Sequence, residues 1–183
     1  MYGYGQLLPL SCEARSAADW ARHFGVKIRE LEFMARLPRS TNPEEGFVGN
    51  PKGGWGLIPP DSYGVHAAPI ASVLQGFNAQ AKAVKRLAFD DLRAEIAAGR
   101  PVIVWVTGHV APGERSIYRI DGKEIIVARY EHTVIVIGYD QKYVEILDGK
   151  TVYKRPVERF LQSWEVLDNM AIIWEERPNQ GGK

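Results

Sequence analysis

The apolar residues of this chain change period part-way along it, and that change narrows the folds open to it. Up to Gly99 they recur at helical spacing, whereas from Pro101 they form short apolar or alternating runs of strand type. Ala14, Ala17, Ala18, Ala21 and Phe24 fall on one face of a helix expected from Cys12 to about Phe24, with Ser11 as its N-cap and Gly25 as its stop. Further helices are expected at Arg29 to Leu37, Ala67 to Gln75 and Phe89 to Ala98, the last stopped by Gly99 and Pro101. Pro101 to Val106 reads as a buried strand. Ile117 to Ile120 and Glu124 to Ala128 flank the turn pair Asp121-Gly122, and His132 to Tyr139 with Tyr143 to Leu147 forms a second hairpin. After a helical segment at about Pro156 to Trp164, Met170 to Trp174 is expected to close the sheet. Helices first and antiparallel strands later make an α+β fold.

With 183 residues, 45% hydrophobic and 25% charged, the chain has the composition of a globular protein and can bury a core without staples. One domain is expected over residues 1–177, a helical half at about 1–100 and a sheet half at about 101–177, with 178–183 as a flexible tail. The net charge is +1 and no basic run occurs, which argues against nucleic acid and anionic membranes as partners. The longest nearly apolar stretch, Thr133 to Tyr139, is far too short to span a bilayer, and no signal peptide is evident near Met1 in the chain as given. Between Ser40 and Tyr63 lies a stretch rich in Gly, Pro and Asn. Loops of this length inside a domain are usually functional or disordered, and the embedded aromatics argue for packing. Phe47 and Trp55 are candidates to line a substrate cleft, with packing of the loop on itself as the alternative.

The single cysteine, Cys12, excludes an internal disulfide and a multi-cysteine zinc site. Alone, such a residue is more often a small buried hydrophobe than a nucleophile. Its surroundings change that balance. Cys12 opens the first helix, where unpaired N–H groups and the positive dipole end favour a thiolate. Gln6 lies six residues upstream in an extended segment, where its amide could face the sulfur and, with the Cys12 N–H, hold an oxyanion. His132 opens a strand whose hairpin turn centres near residue 141, so pairing sets it opposite about residue 149 or 150, beside Asp148. The rival carboxylate Asp140 is eight residues along the strand, roughly 26 Å away. Distance therefore selects Asp148 to orient the imidazole. His23 sits at a helix end, and His66 and His109 fall in loops with no second ligand at metal spacing, so no metal site is expected.

The order Gln, Cys, His, Asp, with Cys on a helix and His on a later hairpin, resembles the papain-like fold. Gly5-Gln6-Leu7-Leu8-Pro9-Leu10-Ser11-Cys12-Glu13-Ala14 more narrowly resembles the bacteriocin-processing or double-glycine cysteine peptidases, family thirty-nine of the cysteine peptidases, in its stand-alone C39-like members. Leu37-Pro38-Arg39-Ser40, the Gly46 to Pro51 loop, Glu131-His132-Thr133-Val134 and Asp148-Gly149 extend the match over nearly the whole chain. The resemblance implies Cys12 as nucleophile, His132 as base, Asp148 as orienting acid and Gln6 in the oxyanion hole. It implies hydrolysis of peptide or isopeptide bonds in a peptide or protein substrate, without a cofactor. Its lean is towards the cell envelope or outside. Unlike transporter-fused members, this chain has no membrane or ATP-binding segment, so a role in peptide export does not follow. Gly181-Gly182 echoes a double-glycine cleavage site, but no leader-like helix precedes it and it reads as tail. Two other functions fit the same residues: a non-catalytic peptide-binding module, and an acyl transferase in which an amine resolves the thioester.

Overall fold

Strands that are apolar on both faces require cover on both, and the order of elements supplies it. The computed structural model describes residues 1–176. The elements are α1 (Cys12–His23), α2 (Glu30–Arg36), α3 (Ala67–Gly76), β1 (Ala81–Val84), α4 (Phe89–Ala97), β2 (Val102–Thr107), β3 (Arg115–Ile120), β4 (Lys123–Ala128), β5 (Glu131–Tyr139), β6 (Tyr143–Asp148), β7 (Thr151–Pro156), α5 (Val157–Glu165) and β8 (Ala171–Trp174). Six strands form one antiparallel sheet in the order β1-β8-β2-β5-β6-β7, and β3 pairs only with β4. The α+β class expected from the sequence is the one observed. The expected tail lies outside the described residues.

Alternation along the strands divides the core in two. Ile103 and Trp105 of β2, Ile135 of β5 and Leu147 of β6 join the core under α1 and α3, together with Ala14, Ala17 and Trp20. Val102, Val104 and Val106, with Val134, Val136, Val144 and Ile146, join the opposite core with Leu92, Phe160 and Trp164 of α4 and α5. The alanine face of α1 has little bulk, which brings that helix close against β5 and β2. Among the described residues no helix is long and apolar enough to cross a membrane.

Four details differ from the sequence expectation. β8 lies inside the sheet between β1 and β2 instead of closing an edge. β7 was not expected, since its Thr-Val-Tyr-Lys-Arg-Pro run is charged and ends in proline; both features suit an edge strand. β1 was likewise unexpected, being four residues long and assembled by non-local pairing with β8. Ser11 occupies the N-cap position of α1, but its hydroxyl bonds the Leu8 backbone and Glu30 and does not cap the helix.

Phe160 is fully buried on the face away from α1, with ring centroids 5.4 Å from Trp164 and 6.2 Å from Phe89. Phe160→Ala is expected to destabilise the fold by about 3–5 kcal/mol, because the rigid sheet and two helices can close only part of the void. Urea denaturation followed by tryptophan fluorescence reads this as a lower midpoint at unchanged m.

Candidate active site

The chain before α1 is an extended arm tied down by its own backbone. Tyr4 N–H donates to Asp19 (3.0 Å), Leu7 N–H to the buried Glu30 (2.8 Å) and Leu10 N–H to the Pro51 carbonyl (3.0 Å). Gly3 presses on the Gly149 carbonyl so closely that a Cβ would overlap it. The arm is thus held against the β6–β7 turn, beside Asp148.

Pairing of β5 with β6 runs Tyr139↔Val144 and, after a register shift near Ile137, Ile135↔Leu147. This brings the end of β6 alongside the start of β5. His132 Nε2 lies 2.8 Å from Asp148 Oδ1. A carboxylate only accepts, so Nε2 carries the proton and Nδ1 is left as the basic nitrogen. Burial alone would raise the Asp148 carboxyl, but hydrogen bonds from His132, Tyr153 and His109 hold it below the usual carboxylate range. Tyr153 Oη donates to Asp148 Oδ2 at 3.1 Å, and His109 Nδ1 lies 3.5 Å from the same oxygen. Asp140 instead accepts from the Lys142 and Tyr143 backbone N–H groups in its turn.

Cys12 is the first residue of α1 and is 6% exposed. Its Sγ–H donates to Glu13 Oε2 at 3.3 Å. The thiolate expected from the helix start meets stronger opposing effects: burial first, then the Glu13 and Glu131 carboxyls, push the Cys12 thiol well above its usual range.

Gln6, Pro9, Cys12, Trp55, His109, His132 and Asp148 line one cavity of about 280 Å³. The structure therefore brings together Gln6, Cys12, His132, Asp148 and Trp55. It does not bring Phe47, which is 1% exposed and belongs to the core under α1. Trp55 hangs over the site from the Gly-rich loop, its Nε1–H donating to the Glu131 carbonyl (2.8 Å) and its ring centroid 6.2 Å from that of His132. Gln6 departs from the expected pose, since Nε2 donates to the Leu8 (2.8 Å) and Pro9 (3.0 Å) carbonyls. His109, read from sequence as an ordinary loop residue, lines the cavity. Arg155 and Arg159 hold its loop through the His109 and Val110 carbonyls. His66 is also not a simple loop residue: it is fully buried between Glu44 and Tyr63. Two groups of donor atoms, His109/His132/Asp148 and Cys12/Glu13/Glu131, each lie within 4.8 Å of one another. His132 and Asp148 in the first already bond each other, and in the second Cys12 Sγ is engaged with Glu13.

A helix-borne cysteine and a strand-borne histidine–aspartate pair that share one cleft between helices and an antiparallel sheet define the papain-like class. Within that class the chain belongs to the Peptidase_C39 like family, which it matches over residues 4–172. It is similar to a Bacillus anthracis protein assigned as a C39-like peptidase, whose crystal structure superposes with a TM-score of 0.83 at 26% identity, over 96% of this chain and 94% of that one. The peptidase domain of Streptococcus ComA, a bi-functional ABC transporter of a quorum-sensing pathway, shares the fold (TM-score 0.59, 16% identity, 96% and 98% covered). The uncharacterized protein YvpB of Bacillus subtilis (strain 168) is 28% identical over 138 residues, 72% of this chain and 52% of YvpB. The chain thus spans about half the length of that relative.

Proposed function

We propose that this protein is a cysteine peptidase that hydrolyses peptide or isopeptide bonds, with Cys12 as nucleophile, His132 as general base and acid, and Asp148 as the group that orients the imidazole. The observation that carries this reading is the 2.8 Å His132–Asp148 bond in the cavity that Cys12 also lines. It leaves Nδ1 of His132 as the base. As Sγ adds to the scissile carbonyl, its proton passes to Nδ1, and the carbonyl oxygen becomes an oxyanion. The Cys12 backbone N–H, one of the unpaired donors of the first turn of α1, faces that charge. Gln6 supplies the second donor by releasing the Leu8 or Pro9 carbonyl. His132 then protonates the leaving amine, and water, deprotonated by the same nitrogen, cleaves the thioester.

A peptide library incubated with the protein, with products read by mass spectrometry, tests the reaction. New termini differing by water indicate hydrolysis, and conjugates formed with an added amine indicate acyl transfer. On a substrate found this way, Gln6→Ala is expected to lower kcat by about 10²-fold with little change in KM, as the loss of one oxyanion donor does.

A second reading, a peptide-binding module, draws on the Cys12 thiol donating to Glu13 and the Gln6 amide bonded to backbone. It requires that no library peptide be cut and that Cys12→Ala bind peptides as wild type does.

A further inference from the structure

Beneath the sulfur lie two carboxyls that the reaction above does not use. Glu13 is 1% exposed and Glu131 is 3% exposed. One oxygen of each and Cys12 Sγ lie within 4.8 Å of one another. Their environments differ. Glu13 Oε1 accepts the Val65 N–H at 2.8 Å, while its Oε2 accepts the Cys12 S–H. Among the described residues Glu131 has no hydrogen-bond partner on either oxygen. Neither carboxyl forms an ion pair with a cation among the described residues.

The backbone is shaped to admit both groups. Gly64, at φ +133°, lies against them, where a Cβ would overlap Glu13 Oε1 and sit 3.0 Å from Glu131 Oε2. The other titratable groups that face the trio are His132 from β5 and the buried Tyr63 from the segment before α3. Tyr63 Oη is engaged with His66, which in turn bonds Glu44. Two buried like charges this close cannot both persist without cations. The Val65 N–H and the Cys12 S–H stabilise charge on Glu13, and among the described residues no donor does so on Glu131, so the proton belongs on Glu131.

We propose that Glu13 and Glu131 are positioning residues for the nucleophile: a carboxyl pair that holds one proton, on Glu131, and whose charged Glu13 accepts the Cys12 S–H and keeps the sulfur a thiol until His132 takes its proton. Burial pushes both carboxyls up: Glu131 goes well up, with the neighbouring acid adding to burial, whereas at Glu13 the hydrogen bonds from Val65 and Cys12 and the nearby His132 oppose it. The pair deepens the peptidase reading, in which Cys12 is the nucleophile, by setting the resting state of that residue. In the attack step the S–H bond breaks, the N–H bond forms on His132, and neither carboxyl gains or loses a proton. The pair restrains the sulfur from non-specific electrophiles, since the thiolate is the reactive form.

Iodoacetamide alkylation of the single cysteine tests this without needing turnover, so its outcome is separable from that of the peptidase assay. The wild-type rate should rise only above the ordinary thiol value of about 8.5. In Glu13→Gln the midpoint should fall by one pH unit or more, which is about a tenfold faster reaction at a fixed pH below it. Glu131→Gln, which mimics the protonated acid, should keep the wild-type midpoint. An unmoved midpoint in folded Glu13→Gln overturns the proposal. If that variant does not fold, infrared spectroscopy of the wild-type protein at pH 8 decides. A protonated-carboxyl C=O band there supports the proposal, and its absence overturns it.

Discussion

Cys12→Ala and His132→Ala are each expected to lower kcat on a peptide substrate by roughly 10⁴-fold or more, with the double variant no slower than the worse single one. The non-additivity follows from the proposed chemistry. Sulfur without a base must lose its proton to water, and a base without sulfur has no nucleophile to activate, so either loss removes the same step. A purely structural account predicts something else, because two independent packing losses would add. Alanine suits the first position of α1, where it keeps helix propensity and deletes only a small buried group. Circular dichroism and thermal unfolding of Cys12→Ala should therefore match wild type closely. Steady-state rates on a substrate from the peptide library make the comparison. Either single variant keeping more than about 1% of wild-type kcat would remove the residue from the catalytic machinery.

The fold was legible where one element's own residues decide it. The alanine stripe and Gly25 bounded α1 to within a residue, and the all-apolar Val102–Val106 run announced a strand covered on both faces. It was not legible where pairing is non-local. Short β1 and charged β7 acquire strand character only from β8 and β6. For the site, hairpin arithmetic that set His132 near residue 149 or 150 also put Asp148 in reach of it. What escaped was whatever depends on side-chain neighbours across the fold. Tyr153 reaches Asp148 only because β7 folds back on β6. His109 enters the cavity because arginines from β7 and α5 grip its loop. The Cys12 environment was misjudged for the same reason. The helix start was visible in the sequence, but the Glu131 carboxyl that approaches from β5 was not. The adjacent pairs Cys12-Glu13 and Glu131-His132 were the available signal. An acid next to each member of the proposed catalytic pair, one at the start of the alanine-faced helix and one at the head of an apolar strand, calls for an account of where its charge goes.

Asp148→Ala is expected to lower kcat by about 10³- to 10⁴-fold, and Asp148→Asn by clearly less. Two contributions are at stake, orientation of the ring and stabilisation of its charged form, and the hydrogen bonds around Asp148 separate them. Alanine removes both. His132 then loses its partner at Nε2, and nothing fixes which nitrogen faces the sulfur. Asparagine keeps an acceptor at Oδ1 provided its NH₂ group can face the other way, towards Tyr153. That hydroxyl now donates to Oδ2 at 3.1 Å, but a phenol also accepts, so it can turn to receive the amide. The tautomer with the proton on Nε2 survives, and only the charge is lost. The charge matters when His132 carries a second proton after the attack, so the asparagine variant should lose kcat more than KM. Tyr153→Phe in the Asp148→Asn background removes the acceptor that holds the amide in this orientation. The NH₂ group is then free to face Nε2, which would favour the wrong tautomer, and the rate should drop towards that of Asp148→Ala. Equal rates for asparagine and alanine at position 148 would instead assign the whole contribution to charge. Tyr153 would then be left with a packing role on β7.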